Sequence, residues 1–367
     1  MSAETVMIYL MAVFAMIGAL DRIFGNRFGF GAEFERGFHA LGPLALIMVG
    51  VYCASPVIAE FFSFAVSPLF SRFGVDPSVI CAVILPIDSG AYPVTRAVTD
   101  NLQLADFSTF LVGAMFPTIL TFSIPLGLSY VRKGDEQVFA LGVLSSIIAV
   151  PVACLFGGLI MGIPFVTLFV NLAPILILAA LIALGLLFAP RAMMRIFQVF
   201  SWVLAALFTF FLAATVLREL TGLEMIRGLA PMDEVSVLLG KIVVVLAGAY
   251  PMVHFLRLTL RRPLTAFGRA IGVNEVTVAA LIASCANGIP MLEMLKDMNP
   301  KGKMLAFAFV GCGGFLIGDH LAFASSMAKE MIMPMFAAKL FGGVFAMVLA
   351  CLFYRKVCGA QEKVLAE

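Results

Sequence analysis

The sequence predicts an all-α polytopic membrane protein, and three observations carry that prediction. First, 62% of the 367 residues are hydrophobic and 13% charged, with a mean hydropathy of +1.07, whereas soluble domains run near a quarter charged. Second, the apolar residues gather into eleven runs, at about 5–20, 41–59, 78–98, 107–131, 138–162, 164–189, 196–217, 236–256, 276–298, 304–327 and 333–354. Most of these approach the roughly 20 residues a helix needs to cross a bilayer. Third, two runs are interrupted: Ile84-Leu-Pro-Ile-Asp-Ser-Gly-Ala-Tyr-Pro93 and Ser284-Cys-Ala-Asn-Gly-Ile-Pro290 hold proline, glycine and polar side chains in mid-run. A straight helix there would lose backbone hydrogen bonds that hydrocarbon cannot replace. Backbone broken at membrane depth must be buried in protein or line a cavity.

In chain order, run 5–20 precedes the first basic residue, Arg22, and so reads as a retained first span without the basic start of a cleaved signal. Arg22, Arg27 and Arg36 form a loop, 41–59 a second span, and 61–69 an interfacial helix or part of the next element. Run 78–98 is the first broken element, and 107–131 follows it. Runs 138–162, 164–189 and 196–217 connect to 236–256, the second broken element 276–298, then 304–327 and a last span.

A shift of 198 residues superposes Gly42 on Gly240, Gly50 on Gly248, Tyr52 on Tyr250, Gly74 on Gly272, Gly90 on Gly288 and Gly113 on Gly311. Five glycine pairs stand where chance gives about half a pair, the mark of an internal repeat. The expected units are 1–40, first span and loop; 41–131, first repeat; 132–235, connecting helices; 236–327, second repeat; and 328–367, last span and tail.

Charge argues the orientation. If both broken runs cross the membrane, the 24 Lys and Arg divide 13 to 11 between its faces; if both are re-entrant hairpins, they divide 17 to 7. Basic residues favour the cytoplasmic face. The reading is therefore about nine full spans plus two hairpins entering from opposite faces, an inverted repeat with the N-terminus outside and the C-terminal tail, bearing Arg355, Lys356 and Lys363, in the cytoplasm.

Asp88 is the strongest candidate ligand, because a carboxylate at the bilayer centre costs several kcal/mol unless something such as a bound cation offsets it. The plainer alternative is a cap on the helix beginning near Ser89. Asp319 and His320 form the other deep ionisable pair, either part of the site or a brace between helices. Their equivalents are Thr121 and Phe122; Thr118, Thr121 and Ser123 line the same cavity or bond to their own backbone. Asn287, at the second tip beside Gly288, is a partner for a hydroxyl or amine, or a left-handed turn residue. Tyr92 offers an aromatic face to an ammonium.

Other classes are poorly supported. A net charge of +2 gives no argument for nucleic acid. The seven cysteines form no Cys-x-x-Cys pair and read as small buried hydrophobes, so neither disulfides nor a metal nor any cofactor is expected. Asp88-Ser89-Gly90 has the letters of an aspartic protease loop, but its repeat partner is Ala286-Asn287-Gly288, and that device needs two acids. No zinc-protease, serine-hydrolase or phosphate-loop motif is present.

Together these residues resemble the bacterial ethanolamine permeases encoded with ethanolamine-utilisation enzymes. The resemblance runs from Ile8-Tyr-Leu-Met11 and Asp21-Arg-Ile23 through Phe34-Glu-Arg-Gly-Phe38, Met48-Val-Gly50, Asp88, Gly113-Ala-Met115 and Phe122-Ser-Ile-Pro125. Its most specific parts are Asn287-Gly-Ile-Pro-Met291, Lys296-Asp-Met298 and Gly318-Asp-His-Leu321. It implies import of ethanolamine across a bacterial inner membrane for cytoplasmic catabolism. On that reading Asp88 pairs with the ammonium, and Ser89, Tyr92, Thr118, Thr121, Asn287, Asp319 and His320 complete the site. The alternatives are a carrier of another small solute, such as a nucleoside or a choline-like amine, and a passive channel. Membrane lipid is the expected surrounding, and a homo-oligomer stays open.

Overall fold

The computed structural model describes residues 2–132 and 134–366, and the side chains of these except 187, 190, 191, 267 and 355–366. The tail cations Arg355, Lys356 and Lys363 lie outside the described side chains. The described residues fold into helices and connecting turns, with no strand among them.

Among the described residues, eight helices are long and apolar enough to cross a bilayer: Ala3–Ile23, Phe30–Cys53, Leu102–Tyr130, Glu136–Ile160, Phe165–Leu186, Ala192–Thr221, Met232–Ala270 and Lys329–Tyr354. They correspond to eight of the nine expected full spans. The ninth, expected at 304–327, is split into Pro300–Gly313 and Asp319–Met327 by the unwound residues 314–318.

Two boundaries differ from expectation. The second span starts at Phe30, so the stretch around Arg36 read as loop is helical. Gly37 allows this, since a Cβ there would lie 2.6 Å from the backbone nitrogen of Ala247, and the bare helix face packs directly on its neighbour. Met232–Ala270 continues well past the apolar run, because apolarity marks the part of a helix that meets lipid and does not set where its hydrogen bonding stops. Residues 61–69 belong to two short helices, Ser55–Ala65 and Ser67–Ser71. Ala59 and Phe62 pack against Cys81, Ala91 and Val94 of the first hairpin.

Both broken runs are hairpins. The first has legs Pro77–Ile84 and Tyr92–Val98; the second has legs Glu275–Ala286 and Gly288–Met294. Their open ends are clasped: Thr99 Oγ1 donates to Asp76 Oδ2 at 2.7 Å, and Asn274 Nδ2 donates to the Asp297 carbonyl at 2.7 Å. Residues 76 and 99 superpose on 274 and 297 under the same 198-residue shift. Asp76 and Asn274 also cap the first legs, and the equivalent pair Asn101 and Asn299 caps the helices that follow. Gly74 and Gly272 precede the hairpins in the same left-handed turn, φ 70° and 78°.

The hairpins enter from opposite faces. Just past the first, Gln103 bonds the Met161 carbonyl at 3.0 Å, at one end of Glu136–Ile160. Just past the second, Lys303 pairs with Asp135 at 2.6 Å, at the other end. That helix of 25 residues is about 37 Å long at 1.5 Å per residue. The two tips therefore point toward each other from the two sides.

Candidate functional site

At the first tip the chain leaves helical geometry at Ser89 (φ −122°, ψ 51°) and Gly90 (φ 84°, ψ 3°). Gly90 is held by its positive φ and by Val51, whose side chain fills the place a Cβ would take. The Ile87 N–H, freed by the break, donates to the Gly113 carbonyl at 3.0 Å. Asp88 caps no helix; its Oδ1 accepts from Ser89 Oγ at 3.1 Å. The capping alternative for Asp88 is thereby removed, because the second leg begins only at Tyr92.

At the second tip a single residue makes the turn. Asn287 is extended (φ −153°, ψ 140°), not left-handed, and its Oδ1 accepts from the Ile289 N–H at 2.9 Å to cap the second leg. Near the end of the first leg, the carbonyls of Ser284 and Cys285 accept from the N–H groups of Phe315 and Ile317 at 2.9 and 2.7 Å. Each hairpin thus docks its tip on the unwound part of the helix that follows it, satisfying groups that hydrocarbon would leave unpaired.

Between the tips lies a cavity of about 490 Å³. Asp88, Ser89, Thr118, Thr121, Asn287, Asp319 and His320 all line it, seven of the eight residues singled out from sequence. Tyr92 is not brought there. Its ring lies under the Arg96 guanidinium at 4.6 Å and meets Phe110 and Phe323 edge-on, so its aromatic face already holds a cation of the chain itself. Thr121 donates to the Pro117 carbonyl at 2.9 Å and Thr118 to that of Ala114 at 3.5 Å, the backbone bonding expected of membrane hydroxyls. Their oxygens remain acceptors for a donor in the cavity.

Sequence reasoning passed over several lining residues. Tyr250 donates to Asp319 Oδ1 at 3.2 Å, and Arg36 lies over its ring at 5.8 Å. Its pairing with Tyr52 in the repeat was the available signal. Phe315 stacks on His320 with centroids 5.3 Å apart and meets Phe122 edge-on at 5.1 Å. Ser201, Phe208 and Thr209 reach the cavity from Ala192–Thr221. Nothing in an otherwise uniform apolar run distinguishes the residues on that helix's inner face.

A family model described as "Ethanolamine utilisation protein, EutH" matches residues 3–353. The chain belongs to that family. A protein of Listeria monocytogenes named "Probable ethanolamine permease EutH" is 40% identical over 349 residues, covering 95% of this chain and 94% of the relative. A Salmonella typhimurium protein of the same name is 36% identical over 406 aligned positions that take in 100% of this chain and 99% of the relative. "Uncharacterized protein YxeR" of Bacillus subtilis is 36% identical over 363 residues, with 99% and 98% covered. No solved structure matches. The family is one of membrane permeases by its names, which accords with the multi-pass helical architecture and not with an enzyme class.

Chemically, this EutH-family cavity joins two carboxylates, an amide, several hydroxyls, four aromatic rings and an imidazole. Such a set suits a small cationic solute carrying a further hydrogen-bonding group. A carboxylate replaces the hydration of an ammonium with a charge-assisted bond, and hydroxyl or amide groups replace that of an alcohol.

Proposed function

We propose that the chain imports ethanolamine across a bacterial inner membrane, binding the ethanolaminium ion between the hairpin tips. One observation carries the reading: Asp88 and Asp319, from opposite repeats, line one cavity at the meeting point of the two broken elements. An alkyl amine, judged by lysine at about 10.4, is protonated at neutral pH. Asp88, with Ser89 as its side-chain partner, takes the ammonium. Asn287 and the threonines take the alcohol. Asp319, engaged by Tyr250, and His320, stacked on Phe315, brace the site or pass protons. The N-terminus lies outside, the tail in the cytoplasm, and the repeat units 41–131 and 236–327 move against each other.

The cavity volume favours one further reading. About 490 Å³ exceeds what a solute of four non-hydrogen atoms fills, so a bulkier amine such as choline also fits. Binding of labelled ethanolamine to the purified protein, with unlabelled ethanolamine and choline as competitors, separates the two. Saturable binding displaced by ethanolamine and weakened more than tenfold in Asp88→Asn is expected. Displacement by choline but not by ethanolamine would overturn the assignment.

A further inference from the structure

One charged side chain has no place in the site just described. Lys339, in the middle of Lys329–Tyr354, is 1% exposed, and its ammonium donates to the carbonyl of Ala114 at 2.9 Å. No described carboxylate forms an ion pair with it. The titratable groups that face it are Asp88 of the first hairpin, Cys154 of Glu136–Ile160, Cys285 of the second hairpin, and Cys312 and His320 of 300–327. Asp88 is the one carboxylate among them.

The position of the acceptor gives this lysine a meaning. Ala114 lies in the unwound turn 113–115 that breaks Leu102–Tyr130, where carbonyls have lost their helical partners. The Gly113 carbonyl is taken by the Ile87 N–H of the first hairpin; that of Ala114 is taken by Lys339, with Thr118 Oγ1 more distant at 3.5 Å. Unwound carbonyls and half-helix ends of this kind are where carriers with broken helices hold a coupling cation. An ammonium buried among apolar and thiol groups is expensive, and a residue needed only to fill space would be apolar. The second repeat has Cys312 at the position equivalent to Ala114, and the same lysine faces it.

We propose that Lys339 is a resident cation of the transport unit, a tethered ammonium standing where other carriers bind an exchangeable metal ion. It neutralises the carbonyl end at the break and shares the field of Asp88, so the carrier works without sodium and requires a positive charge at this point. The assignment rests on reading the central cavity as a transport site, but the unfolding arms of its test need no cargo.

Thermal unfolding of the purified protein is measured in NaCl, KCl and methylammonium chloride at equal ionic strength. The wild type is expected to unfold at the same temperature in NaCl and KCl; any stabilisation by methylammonium at the cavity's own ammonium site sets the baseline for the variants. Lys339→Ala, with the ammonium removed and its space vacated, is expected to be stabilised by methylammonium over KCl by more than that baseline. Lys339→Met, which fills the space without charge, is expected to fold, to show no more than the baseline, and to lose more than tenfold in amine uptake. Sodium-specific stabilisation of the wild type overturns the proposal. So does Lys339→Ala stabilised by methylammonium no more than the wild type, or Lys339→Met with wild-type uptake.

Discussion

At the residue scale the site is made by what the tips leave unsatisfied. Asp88 is half-buried just before the non-helical turn at Ser89 and Gly90, caps nothing and accepts from one hydroxyl, so a carboxylate oxygen is left to face the cavity. Asp319 differs, because the Tyr250 hydroxyl already donates to it. Replacing Tyr250 with Phe removes that bond and is expected to cost about 1 kcal/mol, read as a lower unfolding midpoint. The same change made in an Asp319→Asn background should cost less, since the partners are coupled. Equal costs in the two backgrounds would show that the bond contributes nothing. Asp88, Asn287 and Asp319 were legible in the sequence because polar groups at membrane depth demand a reason. Tyr92 was misplaced because nearness along the chain was taken for nearness in space; one turn of helix beyond the tip points it at Arg96. Lys339 sits in the run with neither glycine nor proline beside it, and nothing local separates it from a residue near a span end.

At the element scale the hairpins are defined by their clasps. Thr99→Val removes the 2.7 Å bond to Asp76 that ties the legs of the first hairpin. A loss of about 1.5–3 kcal/mol is expected, the usual contribution of a bond to a charged group, with faster amide exchange in Tyr92–Val98. Unchanged exchange would mean that packing against Ala59 and Phe62 alone holds the leg. The repeat was readable through its glycines because most of them have a geometric duty, although Gly42 and Gly240 have open space beside them: Gly50 and Gly248 press their helices against the backbone of Leu212 and Met11. A valine at Gly50 should therefore destabilise the protein by about 1–3 kcal/mol through overpacking. The clasps were unreadable, since Asp76 with Thr99 and Asn274 with the Asp297 backbone perform one task with different chemistry.

At the scale of the whole molecule, the alternative between crossing and re-entrant segments, argued from the charge division alone, is met by the geometry of the two hairpin bases at opposite ends of Glu136–Ile160. Which face is cytoplasmic is proposed from the basic residues, and labelling tests it. A cysteine at Arg72 is expected to react with an impermeant maleimide from outside the cell, and one at Lys301 only after permeabilisation; the reverse pattern would invert the orientation. The size of the cavity and the inner face of Ala192–Thr221 emerge only when the two repeats are brought together, which no single stretch of sequence encodes.

The most direct measurement is uptake of labelled ethanolamine into vesicles containing the purified protein, wild type beside Asp88→Asn. Saturable uptake by the wild type, lost in a variant that unfolds at the same temperature, is the predicted result. Equal uptake by the two proteins would contradict a carboxylate-based site between the hairpin tips.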